Sequence, residues 1–186
     1  MANLREVQSA NKLLLLAGIV LVAVAGLVYF LVFYSPLKTY NNKDYGITID
    51  YPANWEMHER VEGSVVVFAS PAQTTMDVFR ENVNVAIQDL STNHLTLDQF
   101  TDVATKQLTA VFNNVKIVSS TPATLAGRPA HQIVYVATGD TNLKIMHIWF
   151  VENNMAYTVT YTAAESKYDE FLGTANKMIK SFKVEL

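Results

Sequence analysis

The 186-residue chain contains no cysteine, and that absence removes whole classes of chemistry. There can be no disulfide, no thiolate nucleophile, no cysteine-held zinc or iron–sulfur centre, and no lipidated cysteine at an anchor's end. It does not report a compartment, because a core of this size is stable without cross-links on either side of a membrane. Clustered basic residues are missing as well. The 14 Lys and Arg are scattered among 17 Asp and Glu, giving a formal net charge of −3. Phosphate contacts need grouped Lys and Arg, so no nucleic-acid partner is expected, and attraction to acidic lipid surfaces is disfavoured likewise. There is no internal repeat, no low-complexity tract and no glycine-rich phosphate cradle.

What the chain does have is one long apolar run. From Leu13 to Tyr34, LLLLAGIVLVAVAGLVYFLVFY carries no charge over 22 residues. At about 1.5 Å per residue such a helix spans a hydrocarbon core of about 30 Å. The run predicts a transmembrane anchor over residues 13–34 after a cytoplasmic tail over 1–12, with Tyr29, Phe30, Phe33 and Tyr34 suited to an interface. Ala23-Val24-Ala25 before Gly26 has the small-x-small look of a signal-peptide cleavage site. The residues after Gly26 are mostly large and apolar, however, where a cleaved signal hands over to polar mature sequence. An uncleaved anchor this near the N-terminus leaves its short tail in the cytoplasm, so the domain that follows is expected to be extracytoplasmic.

Ser35-Pro36 and Asn41-Asn42 mark residues 35–44 as a polar linker, and residues 45–186 as one domain. Tyr45 to Tyr51, Val65 to Ala69, Val83 to Leu90, Val115 to Ser119, Ala130 to Thr138, Leu143 to Glu152 and Met155 to Thr162 read as strands. Trp55, after the Pro52-Ala53-Asn54 turn, reads as a core plug. Thr96-Leu97-Asp98-Gln99 is a capping box, and Leu97, Phe100, Ala104, Leu108 and Val111 recur at helical spacing after it. Ser166 with Asp169 opens a second helix that carries Tyr168, Phe171, Leu172, Ala175, Ile179 and Phe182 on one side. Asn153-Asn154 predicts a tight hairpin. The fold class is α+β, an antiparallel β-sheet sandwiched by helices.

With turns at Gly139 to Asn142 and at Asn153-Asn154, His131, Ile133, Tyr135, Met146, Ile148, Phe150, Tyr157, Val159 and Tyr161 share one sheet face. The opposite face then collects His147, Trp149, Thr158 and Thr160 with Gln132, Val134 and Ile145. His147, Trp149, Thr158 and Thr160 are the candidate partner or ligand surface. The competing reading is that a helix simply packs there.

Little else suggests chemistry. His58-Glu59-Arg60-Val61-Glu62 misses the HExxH zinc motif at its second histidine and reads as a solvated charged loop. His131 and His147 fall on opposite faces in this register, and His94 lies in a polar loop. No serine sits in a G-x-S-x-G elbow. Asp77, Glu81, Asp98, Asp102, Asp169 and Glu170 fall in loops or first helical turns, and Asp140 in a turn. No catalytic residue, metal or cofactor is expected.

Five segments, YGITIDYPANW, RENVNVAI, LAGRPAHQIVY, MAYTVTYTA and the closing MIKSFKV, resemble the PsbP-like superfamily in the right order over residues 40 to 186. The PsbP-related and DcrB-like branch is most similar, through Asn82-Val83-Asn84-Val85. The resemblance implies an α/β/α sandwich, no catalytic activity, and a place on the far side of an energy-transducing or cell membrane. Photosystem PsbP is an extrinsic subunit, and other members look like accessory subunits of membrane complexes. This chain lacks the anchoring cysteine of cyanobacterial relatives and the basic N-terminal docking segment of plant ones, so no docking residue carries over. The expectation is a non-catalytic accessory or stabilising subunit of an integral membrane protein complex, touching the lipid bilayer through residues 13–34. The alternative is a membrane-anchored ligand-binding or sensor domain.

Overall fold

The computed structural model describes residues 36–74, 79–111 and 114–185. The expected anchor over 13–34 and tail over 1–12 lie outside them. Among the described residues no helix is long and apolar enough to cross a membrane.

Among the described residues there are ten strands and two α-helices. The strands are β1 (Leu37–Asn42), β2 (Ile47–Pro52), β3 (Glu56–Val61), β4 (Ser64–Ala69), β5 (Asn82–Asp89), β6 (Val115–Leu125), β7 (Arg128–Ala137), β8 (Leu143–Glu152), β9 (Met155–Ala164) and β10 (Lys183–Val184). The helices are α1 (Leu97–Val111) and α2 (Tyr168–Ser181), the latter entered through a 3-10 turn over Glu165–Lys167. A seven-stranded antiparallel sheet runs in the order β3-β4-β5-β9-β8-β7-β6, and a three-stranded sheet in the order β1-β2-β10.

Period-two alternation on β8 and β9 feeds two separate cores. Met146, Ile148 and Phe150 with Tyr157, Val159 and Tyr161 join the main core, which α2 and the small sheet close with Ala175, Met178, Ile47 and Ile49. Phe150 and Tyr157 stand opposite each other and stack 4.8 Å apart. Trp55 is buried in the same core, edge-on to Phe171. The other face carries Ile133, Tyr135, Ile145 and Trp149 under Leu97, Phe100, Ala104 and Leu108 of α1. Helical elements therefore lie on both faces of the large sheet, as the α+β reading requires.

Local signals explain several boundaries. The capping box forms in full: the Thr96 N–H donates to Gln99 Oε1 at 2.9 Å and the Gln99 N–H to Thr96 Oγ1 at 3.3 Å, satisfying donors that a helix start leaves orphaned. Asn153 and Asn154 adopt φ of 51° and 58°, the two left-handed residues of a type I′ hairpin. Gly46 is also left-handed at φ 61°, and its position is tighter still. A Cβ there would collide with the carbonyl oxygen of Glu185, whose N–H donates to the Gly46 carbonyl at 2.7 Å and pins the C-terminal strand to the β1–β2 turn.

Four expectations are corrected. The stretch 35–44 is not all linker, because Leu37–Asn42 forms β1 and pairs along the whole of β2 from Leu37↔Pro52 to Asn42↔Ile47. The charged segment around His58 is no loop. Glu56–Val61 is edge strand β3, paired with β4, and all six residues are exposed. Its polar composition hides a strand because neither face meets a core. Ser166 does not cap α2, whose start makes no side-chain cap hydrogen bond; the 3-10 turn enters the helix instead.

The fourth correction moves a whole strand face. Ala137 pairs with Leu143, so the β7–β8 loop includes Thr138, whose N–H donates to the Asn114 carbonyl at 3.0 Å. One extra loop residue slips the register by one and turns every β7 side chain over. His131, Ile133 and Tyr135 therefore face α1 beside Trp149, His147 and Ile145, while Val134 points into the main core.

Candidate functional site

On the α1 face the sheet places His147 directly opposite Thr160, and Trp149 opposite Thr158. The corrected β7 register adds Tyr135 beside them. The His147 imidazole lies between two hydroxyls, with Nε2 at 2.9 Å from Tyr135 Oη and Nδ1 at 2.8 Å from Thr160 Oγ1. A neutral imidazole has one donor and one acceptor nitrogen, so either tautomer is fully satisfied by this pair. Burial disfavours the cation and lowers the His147 pKa to about 4. The same desolvation pushes the Tyr135 phenol up to about 12. Both groups are thus uncharged near neutral pH.

The Trp149 indole N–H donates to Thr101 Oγ1 of α1 at 3.0 Å. Its ring meets Phe100 edge-on at 6.1 Å and stacks with His131 at 5.6 Å. Between sheet and helix lies a partly open cavity of about 370 Å³, walled by Phe100, Leu108, Tyr135, His147, Trp149 and Thr158. Ala104 and Gln107 also line it. The space exists because Phe100, Ala104 and Leu108 follow one another at i, i+4, i+8 on the helix, and the middle one stops at Cβ.

The four candidate residues thus come together, but not as an open surface. Trp149 and Thr160 are buried, and α1 covers the patch. Tyr135 was missed because the slipped register put it on the other face. The helical wall was readable from the Leu97, Phe100, Ala104 and Leu108 periodicity, which gives no sign of which sheet face it covers.

The remaining polar groups stay scattered. His131 shares the α1 face with His147, contrary to the sequence reading, and its Nε2 lies 2.8 Å from the exposed Ser120 hydroxyl. His58 lies 3.6 Å from Glu56 on the exposed β3 edge, and His94 contacts Asn154 Oδ1 at 2.8 Å. Glu81 is buried despite its loop position and accepts from Ser70 Oγ at 3.3 Å. Asp77 lies outside the described residues. No group of three His, Asp or Glu among the described residues is placed to hold a metal ion.

These features define a small antiparallel α+β domain built around a sheet, with a ligand-sized space under one helix. The chain belongs to the PsbP family, whose profile matches residues 35–184. Among curated protein sequences none matches it. Among solved structures, cyanobacterial PsbP (CyanoP) from Synechocystis is similar at TM-score 0.62 and 19% identity, over 82% of this chain and 94% of that one. LpqN of Mycobacterium tuberculosis, involved in cell envelope biogenesis, is similar at TM-score 0.57 and 11% identity, over 85% and 95% of the two chains. PA94 of Pseudomonas aeruginosa, a putative regulator, is similar at TM-score 0.52 and 13% identity, over 78% and 94%. At these identities the structures share the fold.

Proposed function

We propose that the protein is a non-catalytic accessory subunit of a larger membrane protein complex, anchored by residues 13–34 with its PsbP-like domain on the extracytoplasmic side. The observation that carries this reading is a PsbP-family domain whose matched region begins directly after a 22-residue uncharged apolar run. The two end strands of the seven-stranded sheet, with the exposure they have among the described residues, support it. Strand β3 exposes Met57 and Val61, and β6 exposes Ile117 and Val118, which are surfaces suited to contact with another protein. PsbP-like domains are generally non-catalytic, and the involvement of LpqN in cell envelope biogenesis suits a place at an envelope membrane.

Mild-detergent extraction of native membranes tests the reading. The tagged protein is expected to migrate with a larger assembly and to cross-link to integral membrane partners. Migration as a lone monomer, with neighbouring complexes unchanged by deletion, overturns it. Protease protection of the domain in intact cells tests the topology. A second reading, a membrane-anchored ligand-binding domain, is favoured by the cavity beneath α1, which is large enough for a small molecule.

A further inference from the structure

We propose that the cavity beneath α1 is a binding site for an uncharged, ring-containing small molecule that carries a single hydrogen-bonding group. This rests on the ligand-binding reading and narrows it to a chemical class.

Size comes first. A space of about 370 Å³ falls at the small end of the usual ligand range of about 300–1,000 Å³, enough for one ring with few substituents. Shape follows from the walls. Phe100 and Trp149 meet edge-on, while Tyr135 and His147 lie nearly parallel, 11° apart. Flat faces and edges of this kind favour a ring over a linear chain.

The walls also select against charge. Among the described residues that line the cavity there is no Asp, Glu, Lys or Arg. A charged ligand would lose its hydration there without gaining a counter-charge, a heavy penalty in an apolar site. The His147 imidazole in the wall is kept neutral by burial, and its two nitrogens are bonded to the hydroxyls of Tyr135 and Thr160. With both ring nitrogens occupied, His147 serves neither as a metal ligand nor as a base toward an occupant. Thr158 and Gln107 are placed to offer polar contact to the occupant, which fits one hydrogen-bonding group.

Underpacking alone explains this arrangement less well. Ordinary core filling would place an apolar residue at position 147, as β8 does at Ile145. The chain instead buries a Tyr–His–Thr network against an apolar space, and such networks are costly unless every member is satisfied.

The test uses the full chain in detergent with Trp55→Phe, so that Trp149 is the sole tryptophan reporter. Cyclohexanol and cyclohexanecarboxylate are the probes at pH 7; neither absorbs where tryptophan is excited. Cyclohexanol is expected to shift Trp149 emission saturably, with the carboxylate at least about tenfold weaker. Ala104→Phe, which fills the space from the helix side, is expected to abolish the response. Should that variant fail to fold, Thr158→Val removes the hydroxyl without adding bulk and is expected to weaken cyclohexanol about fivefold. Equal binding of the two probes overturns the ligand class and leaves the ligand-binding reading standing. No saturable response to either probe, or a response that survives Ala104→Phe, overturns the site and that reading together. The accessory-subunit reading is judged separately, by co-purification.

Discussion

Tyr135 and His147 stack with their rings 5.5 Å apart and 11° from parallel, and the Tyr135 hydroxyl lies 2.9 Å from His147 Nε2. Thr160 closes the other side of the imidazole at 2.8 Å. The histidine is thereby fixed in place, but its surroundings are too poor in charge to favour protonation. That asymmetry makes folding depend on pH.

Burial lowers the folded-state pKa of His147 from 6.5 to about 4. The unfolded chain therefore binds the proton first as pH falls, so the contribution of this group is fully present above pH 6.5 and is lost toward pH 4. The loss approaches about 3 kcal/mol, at about 1.4 kcal/mol per pKa unit. A His147→Gln variant should lack this component. Denaturant midpoints of both proteins between pH 7 and pH 4 check it, and parallel curves for the two would refute the assignment.

Gly46→Ala should destabilise the domain more than Gly63→Ala. Both glycines are left-handed, at φ 61° and 80°, yet only at position 46 does an added Cβ meet the Glu185 backbone, while position 63 has open space. The expected losses are about 2–3 kcal/mol and about 1 kcal/mol, from collision plus strain against strain alone. Chemical denaturation of the two variants gives the comparison.

Thr96→Ala removes one half of the capping box and should cost about 1 kcal/mol. Because α1 roofs Trp149, the same variant should raise hydrogen exchange along α1 before it raises exchange in β9, whose backbone is paired on both sides. Uniformly raised exchange would mean that α1 and the sheet open together.

Phe150→Ala empties a fully buried position in the main core and should cost about 3–5 kcal/mol. Ile117→Ala, on the exposed β6 edge, should change stability by less than about 0.5 kcal/mol. Urea unfolding of both variants separates core from edge. A large loss at Ile117 would show that this edge is covered in the protein as purified.

Element types were legible wherever one segment carries its own physical cause. Alternation along β8 and β9, the Asn153-Asn154 turn and the Thr96/Gln99 box each act within a few residues, and each is realised in the structure. Strands β1 and β3 were not legible. Most of their side chains are exposed, so they carry no hydrophobic pattern, and their strand character comes from pairing with neighbours.

The candidate site divides along the same line. Period-two alternation and a two-residue turn settle the β8–β9 register, so the residues alone make His147, Trp149, Thr158 and Thr160 point the same way. Their surroundings depend on long-range packing. A loop one residue longer than the sequence suggested brings Tyr135 to His147, and packing of α1 turns a sheet face into a roofed cavity. Neither choice is encoded locally: a strand's face depends on its partner's register, and a helix stripe states only that something apolar must be covered.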